Sequence, residues 1–181
     1  MEYNLADLWE RVVDTVPERE AFVCGDRRLT YAQADDRIDR LAHHLLDHGV
    51  GAGDRVALYL HNGTEYLEGM LAAFKIRAVP VNVNFRYVED ELAYLLTDAD
   101  ARAVISHREF APKLAAIRDR IPPALHLVVE DSSPGDASAA LADLARQCLT
   151  GRRAGAQPDL IARWQRIGRE HCHVERGYAI E

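Results

Sequence analysis

The sequence predicts an α/β fold: an open, Rossmann-like parallel sheet flanked by helices. Short apolar runs bounded by turn residues occur at Arg55 to Leu60, Ala78 to Val83, Ala101 to Ser106 and Leu125 to Glu130. Strands buried on both faces of a parallel sheet read this way, without polar alternation. Between them lie segments of helical periodicity. That order predicts right-handed crossovers that cover both faces of the sheet. With 181 residues, 48% hydrophobic and 28% charged, the chain is long and apolar enough for one domain with a real core.

Each element has a local reason. Asn4 is placed to cap a first helix, with Asp7 at its third position. Leu5, Leu8, Trp9, Val12, Val13 and Val16 fall on one face, and Pro17 closes the segment. Glu20 to Cys24 and Arg27 to Leu29 read as strands joined by a tight turn at Gly25-Asp26. Thr30-x-x-Gln33 is a capping box, with Leu29 and Ala34 placed as a hydrophobic staple. The helix it opens carries Ala34, Ile38, Leu41, Ala42 and Leu45 on one face and stops at Gly49. After the strand from Arg55, Asn62 is expected to cap a helix whose inner face is Tyr66, Leu67, Met70, Leu71 and Phe74. Further helices are expected at Val88 to Leu96 and Phe110 to Arg118.

The character of the chain changes after residue 130. Residues 1–130 read as one subdomain. Residues 131–148 read as a linker, Asp131 to Asp136, and a helix, Ala139 to Cys148. Residues 149–181 form an atypical, Arg-rich tail without a sustained strand signal. The core is expected to end near Glu130, and the tail is expected to be mobile.

A net charge of −7 argues against nucleic acid or an anionic membrane as partner. No apolar run approaches membrane-spanning length, and the N-terminus shows no secretory signal. Cys24, Cys148 and Cys172 are odd in number and far apart, which suits a reducing cytoplasm.

Several tempting motifs have plainer readings. Gly49-Val50-Gly51-Ala52-Gly53 follows a helix and enters a strand, the reverse of a dinucleotide-binding turn. His43, His44 and His48 lie opposite the apolar stripe, where a solvated face is expected. His171-Cys172-His173 are adjacent residues that cannot readily face one ion. Glu89, Asp90 and Glu91 sit in a first helical turn, where negative charge suits the helix dipole; Asp98 and Asp100 form a further acidic pair. No metal site and no catalytic residue is assigned.

The ordered series Leu29-Thr30-Tyr31, Gly53-Asp54-Arg55-Val56-Ala57, His61-Asn62, Ala72-Ala73-Phe74-Lys75, Ala78 to Tyr87, Val88 to Leu92 and Ala103-Val104-Ile105 resembles the opening of an acyl-CoA synthetase of the adenylate-forming superfamily. The resemblance covers about 130 residues. It implies the N-terminal subdomain of an enzyme that joins a fatty or other carboxylic acid to CoA through an acyl-adenylate, with magnesium and ATP. Asn82 to Tyr87 leans towards fatty-acid-type ligases over peptide-synthetase adenylation domains. It implies that Arg86, after a strand end, lies near the nucleotide phosphate of CoA. The alternative for Arg86 is a surface ion pair with Glu89 or Asp90. Arg77 departs from the usual glycine before Ala78, which indicates either a different turn or a subgroup.

The family's Ser/Thr/Gly-rich loop ending in Pro-Lys-Gly is not matched by Thr150-Gly151-Arg152-Arg153, and neither Lys75 nor Lys113 stands where its catalytic lysine would. The chain is therefore expected to bind no cofactor alone, to be catalytically silent, and to self-associate through an exposed face. Two other readings remain: a non-catalytic module that docks on a synthetase or carrier protein, and a small nucleotide-binding domain. The arginines at 152, 153, 163, 166, 169 and 176 suggest out-of-frame coding text from a GC-rich genome. Resequencing the locus tests this expectation. A Thr/Ser/Gly-rich loop encoded in a neighbouring frame within a few dozen codons supports it, and none there refutes it.

Overall fold

The architecture follows from helix stops that send the chain repeatedly back into one sheet. The protein was analysed as a computed structural model, which describes residues 4–129 and the strand pair Tyr178–Ala179. Element order is α1 (Leu5–Thr15), β1 (Glu20–Cys24), β2 (Arg27–Thr30), α2 (Tyr31–Asp47), β3 (Arg55–Tyr59), α3 (Thr64–Lys75), β4 (Val79–Asn82), α4 (Glu89–Asp98), β5 (Ala101–His107), α5 (Ala111–Ile117), β6 (Leu125–Val129) and β7 (Tyr178–Ala179). Strands β1 and β2 form an antiparallel hairpin, and Gly25 takes φ +58° at its turn. The main sheet has the order β4-β3-β5-β6-β7. Its first strands, β4 to β6, are parallel, as expected, and β7 is antiparallel to β6. Tyr178 and Ala179 of β7 lie within the stretch expected to lack a sustained strand. The expected linker, the helix at 139–148 and the tail up to residue 177 lie outside the described residues.

Alternate residues of β3 enter opposite layers of core. Val56, Leu58 and Leu60 face α2, α3 and Phe22 of the hairpin. Ala57 and Tyr59 face α4 and α5. The staple position Ala34 and its helix-mates Ile38, Leu41, Ala42 and Leu45 are all buried, as the sequence requires. Gly69 lets α3 approach the sheet closely, since a Cβ there would meet Leu58 Cδ2 at 2.9 Å and Ile105 Cδ1 at 3.2 Å.

Three helix ends use left-handed residues to turn into strands. Gly49 (φ +78°) closes α2, with Gly49 N–H donating to Leu46 O and Val50 N–H to Leu45 O. Arg77 (φ +61°) closes α3 with the same bond pattern, to Phe74 O and Ala73 O. The turn is thus the one glycine would make. There Arg77 Nη2 donates to Asp7 Oδ1 at 2.9 Å, and the Arg77 carbonyl accepts from Gly53 N–H at 2.9 Å. Asp100 (φ +45°) follows α4, and the Arg55 guanidinium binds the carbonyls of Ala99 and Asp100 there.

Several local expectations change. The chain stays extended through Gly63, so α3 starts one residue later than an Asn62 cap would set, and Glu65 is bound by Arg27 of the hairpin. Leu5 and Leu8 are 58% and 61% exposed, although they lie on the apolar face of α1. Polar contacts orient that helix instead: Trp9 Nε1 donates to Asp35 Oδ1 at 2.6 Å, and Asp7 holds Arg77. His48 is exposed as expected, whereas His43 and His44 are half-buried. Residues 108–110 form a short 3-10 turn before α5. At the sheet edge, β4 directs the amides of Val79 and Val83 towards β3. Strand alternation leaves position 80 on the free side, where proline offers no N–H to a stray strand.

Lys75 lies among α1, α2 and α3 with its side chain 2% exposed; its ammonium is 2.7 Å from Asp35 Oδ1 and 2.5 Å from Asp39 Oδ1. Glu10 Oε1 is 4.0 Å away. Burial works against the ammonium, but Asp39 and Asp35 outweigh it and hold its pKa above the ordinary lysine value. Burial raises the pKa values of Asp39 and Glu10 against the opposing pull of Lys75, and the neighbouring carboxylates add smaller upward effects. Removing one partner of a buried ion cluster typically costs about 3 kcal/mol or more. Lys75→Met is therefore expected to lower unfolding free energy by about 3 kcal/mol in chemical denaturation. A loss below about 1 kcal/mol, the worth of a surface pair, would contradict the tie.

His126 on β6 and His44 on α2 supply a pH dependence. Burial, joined at His44 by the neighbouring His48, lowers each pKa from 6.5 to about 4. The unfolded chain then binds protons that the folded chain refuses. Their contribution is complete above pH 6.5 and is lost progressively as pH falls towards about 4. His126→Leu removes one such site, so its stability relative to wild type is expected to improve steadily over that interval. A pH-independent difference in denaturation midpoints would refute it.

Candidate functional site

The two ends of the parallel sheet differ. At the ends where strands begin, the chain is bound to itself. Arg55 donates to Ala99 O (2.6 Å), Gly53 O (2.9 Å) and Asp100 O (3.0 Å). Asp54 Oδ2 accepts from Gly51 N–H at 2.8 Å, and Asp54 O accepts from Val79 N–H at 2.7 Å. The glycine run is therefore a helix stop and strand entry, and Asp54 and Arg55 are structural.

At the carboxyl ends, the crossover after β3 goes to α3 on one face of the sheet. Those after its neighbours β4 and β5 go to α4 and α5 on the other. Diverging loops open a crevice at such a switch point, where open α/β sheets bind ligands. His61 follows β3, Asn84 to Tyr87 follow β4, and Glu109 and Phe110 follow β5. His61 Nε2 lies 2.8 Å from Glu109 Oε1, and His61 N–H donates to His107 Nδ1 at 3.1 Å. The His61 ring meets Phe85 edge-on at 4.7 Å, and Phe110 lies 5.0 Å away. Beneath them, buried Tyr59 stacks on Phe110 at 4.4 Å. Burial raises the pKa of the Tyr59 phenol, and Glu89 adds to the effect.

The structure places Arg86 on this rim. Asn84 forms its turn, with Oδ1 accepting from Arg86 N–H at 3.0 Å and the carbonyl accepting from Tyr87 N–H at 3.0 Å. Lys113 of α5 donates to Tyr87 O at 2.9 Å. The Arg86 guanidinium lies over the Phe85 ring, 5.5 Å from its centroid. Among the described residues, neither Glu89 nor Asp90 pairs with it; Asp90 is held by Arg120 at 2.8 Å. Arg86 is exposed.

The remaining candidates do not converge here. Glu89, Asp90 and Glu91 occupy the first turn of α4, where Glu91 accepts from Val88 N–H at 3.1 Å. His43 and His48 bond carbonyls of their own helix, and the His44 and His48 rings lie 4.0 Å apart. Among the described residues, no group of three His, Cys, Asp or Glu side chains is arranged to hold a metal ion. His171, Cys172 and His173, and the 150–153 stretch, lie outside the described residues. Sequence reasoning missed His61, Phe85 and Glu109 as one group. Their common signal was position, each just beyond a strand end.

The strand order and the helices on both faces place this layer in the doubly wound α/β class. A family model described as AMP-binding enzyme matches residues 9–179. The chain belongs to the AMP-binding enzyme family. It is 47% identical over 134 residues to a Mycobacterium marinum protein named medium/long-chain-fatty-acid–CoA/3-oxocholest-4-en-26-oate–CoA ligase, covering 74% of this chain and 24% of that protein. A 3-oxocholest-4-en-26-oate–CoA ligase of Rhodococcus rhodochrous is 45% identical over 140 residues, 77% of this chain and 25% of that one. The chain thus spans about a quarter of the length of these relatives. Among solved structures, the N-terminal domain of FACL13 from Mycobacterium tuberculosis superposes with TM-score 0.64 at 26% identity, covering 85% of this chain and 38% of that one. The anthranilate CoA ligase AuaEII, in complex with anthranoyl-AMP, gives 0.67 at 26% identity, covering 78% and 27%. The family match extends past residue 130, where the resemblance read from the sequence stops. No helix of the described residues is long and apolar enough to cross a membrane.

Proposed function

We infer that residues 4–129 are the N-terminal subdomain of an ATP-dependent carboxylic acid–CoA ligase, and that Arg86 meets a phosphate of CoA. The observation that carries the second part is an exposed arginine at the switch-point crevice, preset by Asn84, without a carboxylate partner among the described residues. A guanidinium fork matches phosphate oxygens with paired, charge-assisted hydrogen bonds. The relatives' names support a fatty or sterol-derived carboxylic acid as substrate of the complete enzyme. That enzyme takes magnesium, ATP and CoA, acts in the cytoplasm, and passes through an acyl-adenylate. When bound, ATP supplies the activating adenylyl group, and no residue described here is assigned to that step. Exposed Leu5 and Leu8 support self-association of this chain.

In an enzyme rebuilt by joining this chain to the remainder of a relative, Arg86→Ala should raise the KM for CoA about ten-fold, the worth of one charge-assisted bond. It should spare the adenylation half-reaction. An unchanged CoA dependence would return Arg86 to the protein surface.

The 181-residue chain alone is proposed to be catalytically silent. Both lysines are committed to structure, Lys75 to Asp35 and Asp39, and Lys113 to the Tyr87 carbonyl. With ATP, magnesium and fatty acids of several lengths, carboxylate-dependent pyrophosphate exchange should stay at the buffer level. Exchange that co-purifies with the chain, after removal of any full-length ligase, would refute this.

A further inference from the structure

We propose that His61 is a positioning residue for Arg86, acting through the ring of Phe85. This rests on the reading of Arg86 as the phosphate contact. An arginine on an exposed loop ordinarily samples many rotamers, and ordering it on binding costs affinity. Here a chain of contacts removes much of that freedom beforehand.

The chain of contacts begins at the end of β5 and in the turn after it. Glu109 holds His61 Nε2 at 2.8 Å, and His107 Nδ1 accepts the His61 backbone N–H at 3.1 Å. His61 is thereby fixed in both ring and backbone. Its ring then meets Phe85 at 4.7 Å and 60°, an edge-to-face geometry that favours one ring orientation. Phe85 is 38% exposed and has little core to hold it. The orientation of its face is what the Arg86 guanidinium rests on, at 5.5 Å. Loops after β3, β4 and β5 therefore cooperate to aim one cation. Neither His61 nor Glu109 needs to touch the ligand.

The test uses the complete 181-residue chain. The first readout is the NMR shift of the Arg86 Cδ protons, which the Phe85 ring current moves upfield while the stack persists. The shift should be lost in Phe85→Leu, retained in Phe85→Tyr, and reduced in His61→Ala. Glu109→Ala should reduce it too; this exposed substitution serves should His61→Ala fail to fold. The second readout is the affinity for adenosine 3′,5′-bisphosphate of an enzyme rebuilt by joining this chain to the remainder of a relative. A cation–π contact of about 1 kcal/mol corresponds to a roughly five-fold weakening in His61→Ala. If the shift responds but the rebuilt enzyme with wild-type Arg86 does not bind the bisphosphate, the positioning chain stands and the CoA reading of Arg86 fails. If the shift is unchanged in both His61→Ala and Glu109→Ala, the proposal is overturned whatever the chain binds.

Discussion

One buried ammonium holds the helical layer together. Lys75 ends α3, and its side chain reaches Asp35 and Asp39 one turn apart on α2, with Glu10 of α1 at the edge of its range. Arg37 adds a two-pronged bond to buried Glu68, from Nε at 2.8 Å and Nη2 at 3.0 Å, between the same two long helices. These ions are expensive to desolvate, so each is useful only in one relative placement of α1, α2 and α3. The ion network selects the register and so fixes where β3 leaves one helix and enters the next.

That register has a consequence at each end of the sheet. At the strand entries, left-handed turns at Gly49, Arg77 and Asp100, the last bound by Arg55, satisfy helix carbonyls within the chain. At the strand exits, loops diverge to opposite faces and leave His61, Phe85 and Arg86 at the rim. The fold therefore separates stability from recognition along the strand axis. Arg77 carries a left-handed strain of about 1–2 kcal/mol at the closed end, of which its partly exposed pair with Asp7 returns at most about 1 kcal/mol.

Much of the fold was legible in the sequence because local and long-range signals agree. The Thr30–Gln33 capping box, the α2 stripe and the apolar strand runs each admit one reading. The position of α1 was less legible. Its apolar face suggested burial of Leu5 and Leu8, but Trp9 and Asp7 bind polar partners distant in sequence and rotate it. Lys75 gave no periodic signal either, since a lone lysine at a helix end ordinarily reaches solvent. At the candidate site, Arg86 was legible only through resemblance. Its partners Phe85, His61 and Glu109 come from separate crossovers, and strand order, which no local pattern encodes, brings them together.

The central claim is that recognition belongs to the strand-exit end of this sheet. The direct measurement is amide shift mapping during titration with CoA, with this 181-residue chain isotopically labelled inside an enzyme rebuilt by joining it to the remainder of a relative. The account predicts that the resonances of His61, Phe85, Arg86 and Glu109 move together and saturate, while those of Gly53, Arg55 and Arg77 stay in place. Perturbation centred on the strand entries, or spread over the exposed face of α1, would contradict it.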